Sequence, residues 1–204
     1  GHVVRSDANA VGFKIGEHDG AESARAAELA EVMSSVENTL VTTNMWGDRW
    51  SKMAINCMAN PVAGLSGLGS AEVRTDSRAR SIAIRMAAEV ISVARALGHE
   101  VEPIFGIDPE RYIDAAAGKN VEELESDMAD GAESLAGGRP SFLQDVMKGR
   151  RTEIEYLNGY VAEKAREVGV PTPFCDGVVK VVLSHGVGRL KPDISNLEPL
   201  TALL

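Results

Sequence analysis

The 204 residues are 44% hydrophobic and 25% charged, close to the averages of folded domains, so the chain can bury a full core without disulfides or a structural metal. Lys plus Arg number 21 against 30 for Asp plus Glu, a net charge of −9, and the longest basic run, Lys148-Gly149-Arg150-Arg151, is too short for a nucleic-acid arm. Aromatic residues are only 4%, which suits helices better than an aromatic-rich sandwich, and no apolar stretch approaches the roughly 20 residues that span a bilayer. Cys57 and Cys175 lie far apart without a CxxC partner, so free buried thiols and a cytoplasmic setting are expected.

Taken in chain order, His2–Arg5 and Val11–Gly16 are expected as short strands around the turn-rich Ser6–Asn9, Ser23–Ser34 as a helix and Thr39–Thr43 as another strand. A strand pair, a helix and a strand make a poor free-standing domain and suggest the end of a larger sheet. From Trp46 onward the pattern is helical. A helix from about Gly47 to Ala63 leads into Gly64–Gly69, expected as a loop, and Ser70 is expected to cap one helix running to Leu97 with Gly98 as its stop. Ile82, Met86, Val90, Val93 and Leu97 recur on one face of it.

Asp108-Pro109 is an N-cap followed by Pro at the first helical position, and Gly118 closes that short helix. Asn120–Leu135 is acidic and expected as a helix with a solvated face, its continuity made doubtful by Gly131. Thr152-Glu153-Ile154-Glu155 has the form of a capping box and is expected to start a helix that ends at Gly169; Thr172-Pro173 opens a last helix to about His185, with an irregular tail after Gly186.

Gly67-Leu68-Gly69 supplies two glycines of a dinucleotide-binding loop, but position 72 is Glu and the preceding segment is helical, so the motif is rejected. No P-loop, H-E-x-x-H, G-x-S-x-G or paired Cys/His spacing occurs, and His2, His18, His99 and His185 are scattered, so no metal site is expected. Lys52, Asn56 and Asn60 stand out. Four-residue steps put them on one helix face over about 12 Å, and the residues between them are apolar. The stripe is either the polar face of an ordinary helix or the lining of a cavity, and spacing supports the two equally. A second group, Ser141–Asp145 followed by Gly149–Glu155, places a Ser on one segment and Glu153 on the next; capping and surface charge account for it on these residues alone.

At these positions the chain resembles the 2-dehydropantoate 2-reductase (ketopantoate reductase) family. Trp50-Ser51-Lys52, Asn56 and Asn60-Pro61 match that family's Trp-x-Lys-x-x-x-Asn-x-x-x-Asn-Pro. Ser141-Phe142-Leu143-Gln144-Asp145, Gly149-Arg150-Arg151-Thr152-Glu153-Ile154-Glu155, Asn158-Gly159 and Gly169-Val170-Pro171-Thr172-Pro173 match later motifs in order, with Phe142 in place of Met and Glu155 in place of Asp.

The resemblance implies a mainly α fold. A helical domain like the C-terminal part of 6-phosphogluconate dehydrogenase, residues 45–204, would follow a short α/β remnant of a Rossmann domain, residues 1–44. It implies reduction of 2-dehydropantoate to pantoate by NADPH, most of whose binding site would lie outside this chain, so that the chain reads as a fragment inactive by itself. Lys52 would be the general acid. Asn56, Asn60 and Ser141 would bind the substrate's hydroxyl and carboxylate, and Glu153 would orient Lys52 or meet the nicotinamide ribose. A reductase of another 2-oxo acid and a non-catalytic helical dimerisation module are the alternatives. The expected partners are a small 2-oxo acid and a second copy of the chain, with neither nucleic acid nor membrane.

Overall fold

In the first unit, β1 (Phe13–Ile15) and β2 (Thr39–Val41) pair in parallel, Phe13 opposite Thr39 and Ile15 opposite Val41, and α1 (Ala24–Ser34) is the crossover between them. A parallel pair requires such a crossover, so this is one βαβ unit. The computed structural model describes residues 11–135 and 137–204, and the expected strand His2–Arg5 lies outside them. Ser23 starts α1 by accepting a hydrogen bond from the Ala26 amide, and its hydroxyl donates to Glu17. Two compact units divide between Arg49 and Trp50.

Helix α2 (Met45–Ser66) continues three residues past the expected stop at Ala63. Gly64 does not end the helix; it allows close packing. A Cβ built there would stand 2.3 Å from the Phe142 ring, and Leu65 beyond it is fully buried. The stop comes at Gly67, whose φ of +84° lets its amide reach back to the Ala63 carbonyl.

Pro61 lies inside α2 and has no N–H, so the Cys57 carbonyl four residues earlier loses its helical partner. The side chain of Asn158, fully buried, donates to that carbonyl at 3.2 Å from the start of a later helix. One buried amide thereby repairs the gap that one proline opens.

The single helix expected from Ser70 to Leu97 is two: α3 (Ser70–Thr75) and α4 (Ser77–Ala96). Asp76 divides them, because its extended backbone and its carboxylate, which accepts from the Ala79 amide at 2.8 Å, make it the N-cap of α4. Ser70 caps nothing with its side chain; Gly69 occupies the cap position.

Helix α4 is the centre of the second unit and packs against α3, α5 (Pro109–Ala116), α8 (Asn158–Val168) and α9 (Pro173–Ser184). Ile82, Met86, Val90 and Val93 are fully buried along it, as the spacing predicts, while Leu97 packs at the margin. The Asp108 cap and Pro109 start α5 as expected.

Helix α6 (Val121–Asp130) ends at Gly131, the residue at which the sequence left its continuity open, and a short 3₁₀ turn, Glu133–Leu135, follows. After α7 (Ser141–Met147), the Thr152–Glu155 segment forms turns and not a helix start: the Tyr156 and Leu157 amides both donate to the Glu153 carbonyl, and α8 opens at Asn158. The physical reason is that Ile154, buried in the core, holds the turn down. The tail is ordered by a 3₁₀ turn (Ile194–Leu197) and α10 (Glu198–Thr201), with Leu197 and Leu200 fully buried.

Both cysteines are free and buried, and desolvation pushes each thiol's pKa upward. No helix among the described residues is long and apolar enough to cross a membrane.

Candidate active site

Within the second unit a cavity of about 210 Å³ opens between α2, α3 and the segments around Phe105, Met128 and Pro140. Its volume is below the roughly 300–1,000 Å³ of sites that hold drug-sized ligands, so it suits a small molecule. Lys52, Asn56 and Asn60 all line it. None of the three side chains hydrogen-bonds or ion-pairs within the protein among the described residues. Helix α2 is the reason they converge: its opposite side is packed in the core through Ala54, Cys57 and Val62. An ammonium and two amides are thus left available along one wall.

The same wall set contains polar residues that the sequence reasoning passed over. Ser70 and Arg74 of α3 line the cavity with Phe105, and among the described residues no Asp or Glu does. Nothing in the sequence separates Arg74 from Arg78, Arg80 and Arg85, which recur nearby; a signal exists only once Arg74 is seen to be buried.

The structure places Ser141 and Glu153 less directly. Ser141 is exposed as the first residue of α7; its neighbour Pro140 lines the cavity, but Ser141 itself is not among the lining residues. Glu153 is also exposed and outside the lining set, yet its charge reaches α2, where it contributes, after burial, to the raised pKa of the Cys57 thiol.

The second unit is thus a helical domain that offers a small polar ligand two cations, amides and a hydroxyl from one cavity. A family described as ketopantoate reductase PanE/ApbA C terminal matches residues 44–185. A 2-dehydropantoate 2-reductase of Archaeoglobus fulgidus is 30% identical over 172 residues, 83% of this chain and 50% of that protein. Among solved structures, 2-dehydropantoate 2-reductase from Methylococcus capsulatus superposes with a TM-score of 0.67 at 22% identity, over 90% of this chain and 57% of the other. D-mandelate dehydrogenase with NADH and anilino(oxo)acetate also gives 0.67, at 24% identity, over 86% of this chain and 66% of the other. The chain belongs to the ketopantoate reductase C-terminal family. It spans about half the length of the curated relatives it matches.

A nicotinamide dinucleotide needs backbone amides and glycines open to its phosphates. In the first unit, Gly16 and Gly20 instead face the Thr42 and Thr43 carbonyls, 2.1 and 2.6 Å from where a Cβ would stand. The start of α1 is taken by Ser23 and by Glu17, which also pairs with Arg25. Those hydrogen bonds, Arg25 first, hold the Glu17 carboxyl down at about 2. A carboxylate ionised at that helix end repels phosphate, so the start of α1 is not a phosphate cradle.

Proposed function

We propose that this chain is the substrate-binding, proton-donating part of an NADPH-dependent reductase that converts 2-dehydropantoate to pantoate. The observation that carries the reading is that Lys52, Asn56 and Asn60 line one small cavity with no partner for their polar groups among the described residues. Family membership supplies the reaction class.

Reduction of a 2-oxo acid adds hydride at the carbonyl carbon and a proton at its oxygen. The ammonium of Lys52 polarises the carbonyl by hydrogen bonding to that oxygen, then gives the developing alkoxide its proton. The amine left behind is exposed enough to regain a proton from water. Asn56 and Asn60, one and two turns further along α2, orient the substrate through its hydroxyl and carboxylate, which holds the carbonyl carbon in place for attack. Ser141, next to Pro140 on the rim, meets the carboxylate. Glu153 orients Lys52.

The test is Lys52→Ala in the full-length protein. A general acid is worth about 10²–10⁴-fold in rate, so kcat should fall at least about 100-fold with a smaller change in KM. Near-normal turnover of 2-dehydropantoate by Lys52→Ala removes the proposed role. Asn56→Ala or Asn60→Ala should act mainly through KM.

A further inference from the structure

Arg74, in the last turn of α3, is only 6% exposed, yet its guanidinium donates no hydrogen bond and makes no ion pair among the described residues. Its Nη2 is buried without any partner. A buried cation left unpaired is costly, and burial accordingly lowers the pKa of this guanidinium from its ordinary value, though not far enough to discharge an arginine. The surrounding chain nevertheless holds it in place on two sides.

On one side the guanidinium stacks on Phe105, 3.8 Å from the ring centroid. Phe105 has φ +53° and Gly106 φ +79°, the two central residues of a turn closed by paired hydrogen bonds between Ile104 and Ile107. A bulky side chain in the left-handed region is strained, and such strain persists where the surroundings enforce it. On the other side, a Cβ at residue 131 would stand 2.6 Å from Nη1, so Gly131 at the end of α6 leaves the room that Arg74 fills.

Among the described residues, Arg74 and Lys52 are the two cations lining the cavity, and no carboxylate lines it to neutralise either. Two cations on one small cavity attract an anion. The alternative, that Arg74 is a structural prop, fails to explain why it has no acceptor among the described residues. Lys52 in the proposed reaction serves the carbonyl oxygen, which leaves the acid group of the substrate without a charged partner. The guanidinium presents a planar fork that matches a carboxylate, as the Asn amides and a serine hydroxyl do not.

We propose that Arg74 binds the carboxylate of the small acid that fills this cavity and makes the site select a free acid over its ester or amide. This rests on the reading of the cavity as a 2-oxo acid site, and adds a specificity-determining residue to it.

In the full-length protein, Arg74→Met should raise KM for 2-dehydropantoate about 10- to 100-fold, the usual worth of a charge-assisted hydrogen bond, and change kcat far less. Arg74→Lys should recover part of the loss, since it restores charge without the fork. The methyl ester of the same oxo acid should be handled equally by wild type and Arg74→Met. Melting temperature separates a structural role: removing an unpaired buried cation should leave stability unchanged or raise it.

An unchanged KM for the acid in Arg74→Met, or a fall in melting temperature with no loss of preference for acid over ester, overturns the inference while leaving the reductase reading intact. Pantoate binding to the 204-residue chain, followed by calorimetry, keeps the two apart from the other direction. If the full-length protein reduces no 2-oxo acid but pantoate binding is still weakened about 10-fold or more by Arg74→Met, the anion site stands and the reductase reading falls. Equal pantoate affinity in wild type and Arg74→Met overturns the anion site by itself.

Discussion

Asn158→Ala tests whether the buried amide on α8 repairs the gap that Pro61 leaves in α2. Pro61 cannot donate to the Cys57 carbonyl, and its ring pushes that carbonyl off the helix axis, toward the Asn158 Nδ2 that sits 3.2 Å away. Truncating Asn158 removes a hydrogen bond worth about 1 kcal/mol net and leaves a buried carbonyl unpaired at a cost of about 1–3 kcal/mol. The vacated side-chain volume, bordered by Met86 and Cys175, adds to the loss, for a total of about 2–4 kcal/mol.

A double-mutant cycle isolates the claim. In Pro61→Ala the new N–H takes over the Cys57 carbonyl, so Asn158→Ala should then cost about 1–2 kcal/mol less than it does beside Pro61. Equilibrium urea unfolding of the chain under reducing conditions, read by far-UV circular dichroism, supplies all four values, provided the m-value is unchanged across them. If the cost of Asn158→Ala is the same in both backgrounds, the amide does not serve the proline's orphan carbonyl and the explanation is wrong.

Two further predictions concern packing and pH. Gly64→Ala drives a methyl into the buried Phe142 ring and should destabilise by about 1–3 kcal/mol, whereas Gly98→Ala, with open space around its Cβ position but φ +86°, should lose stability through backbone strain alone; chemical denaturation of each compares the two mechanisms. Glu89 of α4 accepts hydrogen bonds from the Phe174 and Cys175 amides at 2.8 Å each, capping the first turn of α9, and burial pushes its carboxyl up to about 7 despite them. The folded state then holds this proton more tightly than the unfolded chain, whose carboxyl titrates near 4.5. Glu89's contribution is therefore full below about pH 4.5 and is lost as pH rises through about 7, by at most about 3 kcal/mol. Glu89→Gln should flatten that slope. A wild-type advantage over Gln that is equal at pH 5 and pH 8 would show that the two amides outweigh burial.

Much of the helical layout was legible because it rests on local chemistry. The Asp108-Pro109 start, the Gly98 and Gly169 stops and the buried face of α4 need only a few neighbouring residues to be read. The misreadings share a cause: a residue with a local meaning was recruited by something distant. Gly64 looks like a breaker but meets Phe142 of α7; the Thr152–Glu155 box looks like a cap, but Ile154 is drawn into the core. Asp76 was the opposite failure, since its capping signal lay in the sequence but was overrun by the apolar period on either side.

The site divides in the same way. Lys52, Asn56 and Asn60 were visible because one helix carries all three, and helical periodicity fixes their common face without any tertiary information. Arg74 was invisible because its meaning depends on three separate segments: α3, which supplies it, the Phe105 turn, which stacks on it, and Gly131, which makes room. Each looks ordinary alone. Pro61 and Asn158 link the two halves of the argument. The carbonyl they share lies between Asn56 and Asn60, so the contact that steadies the core also fixes the pitch of the helix that aims those amides. Asn158→Ala should for that reason weaken binding of an acid in the cavity more than an equally destabilising change elsewhere, such as Gly64→Ala. Comparing pantoate affinity of the two variants, both held well below their unfolding transitions, decides it; equal affinities would mean that α2 keeps its geometry without the repair.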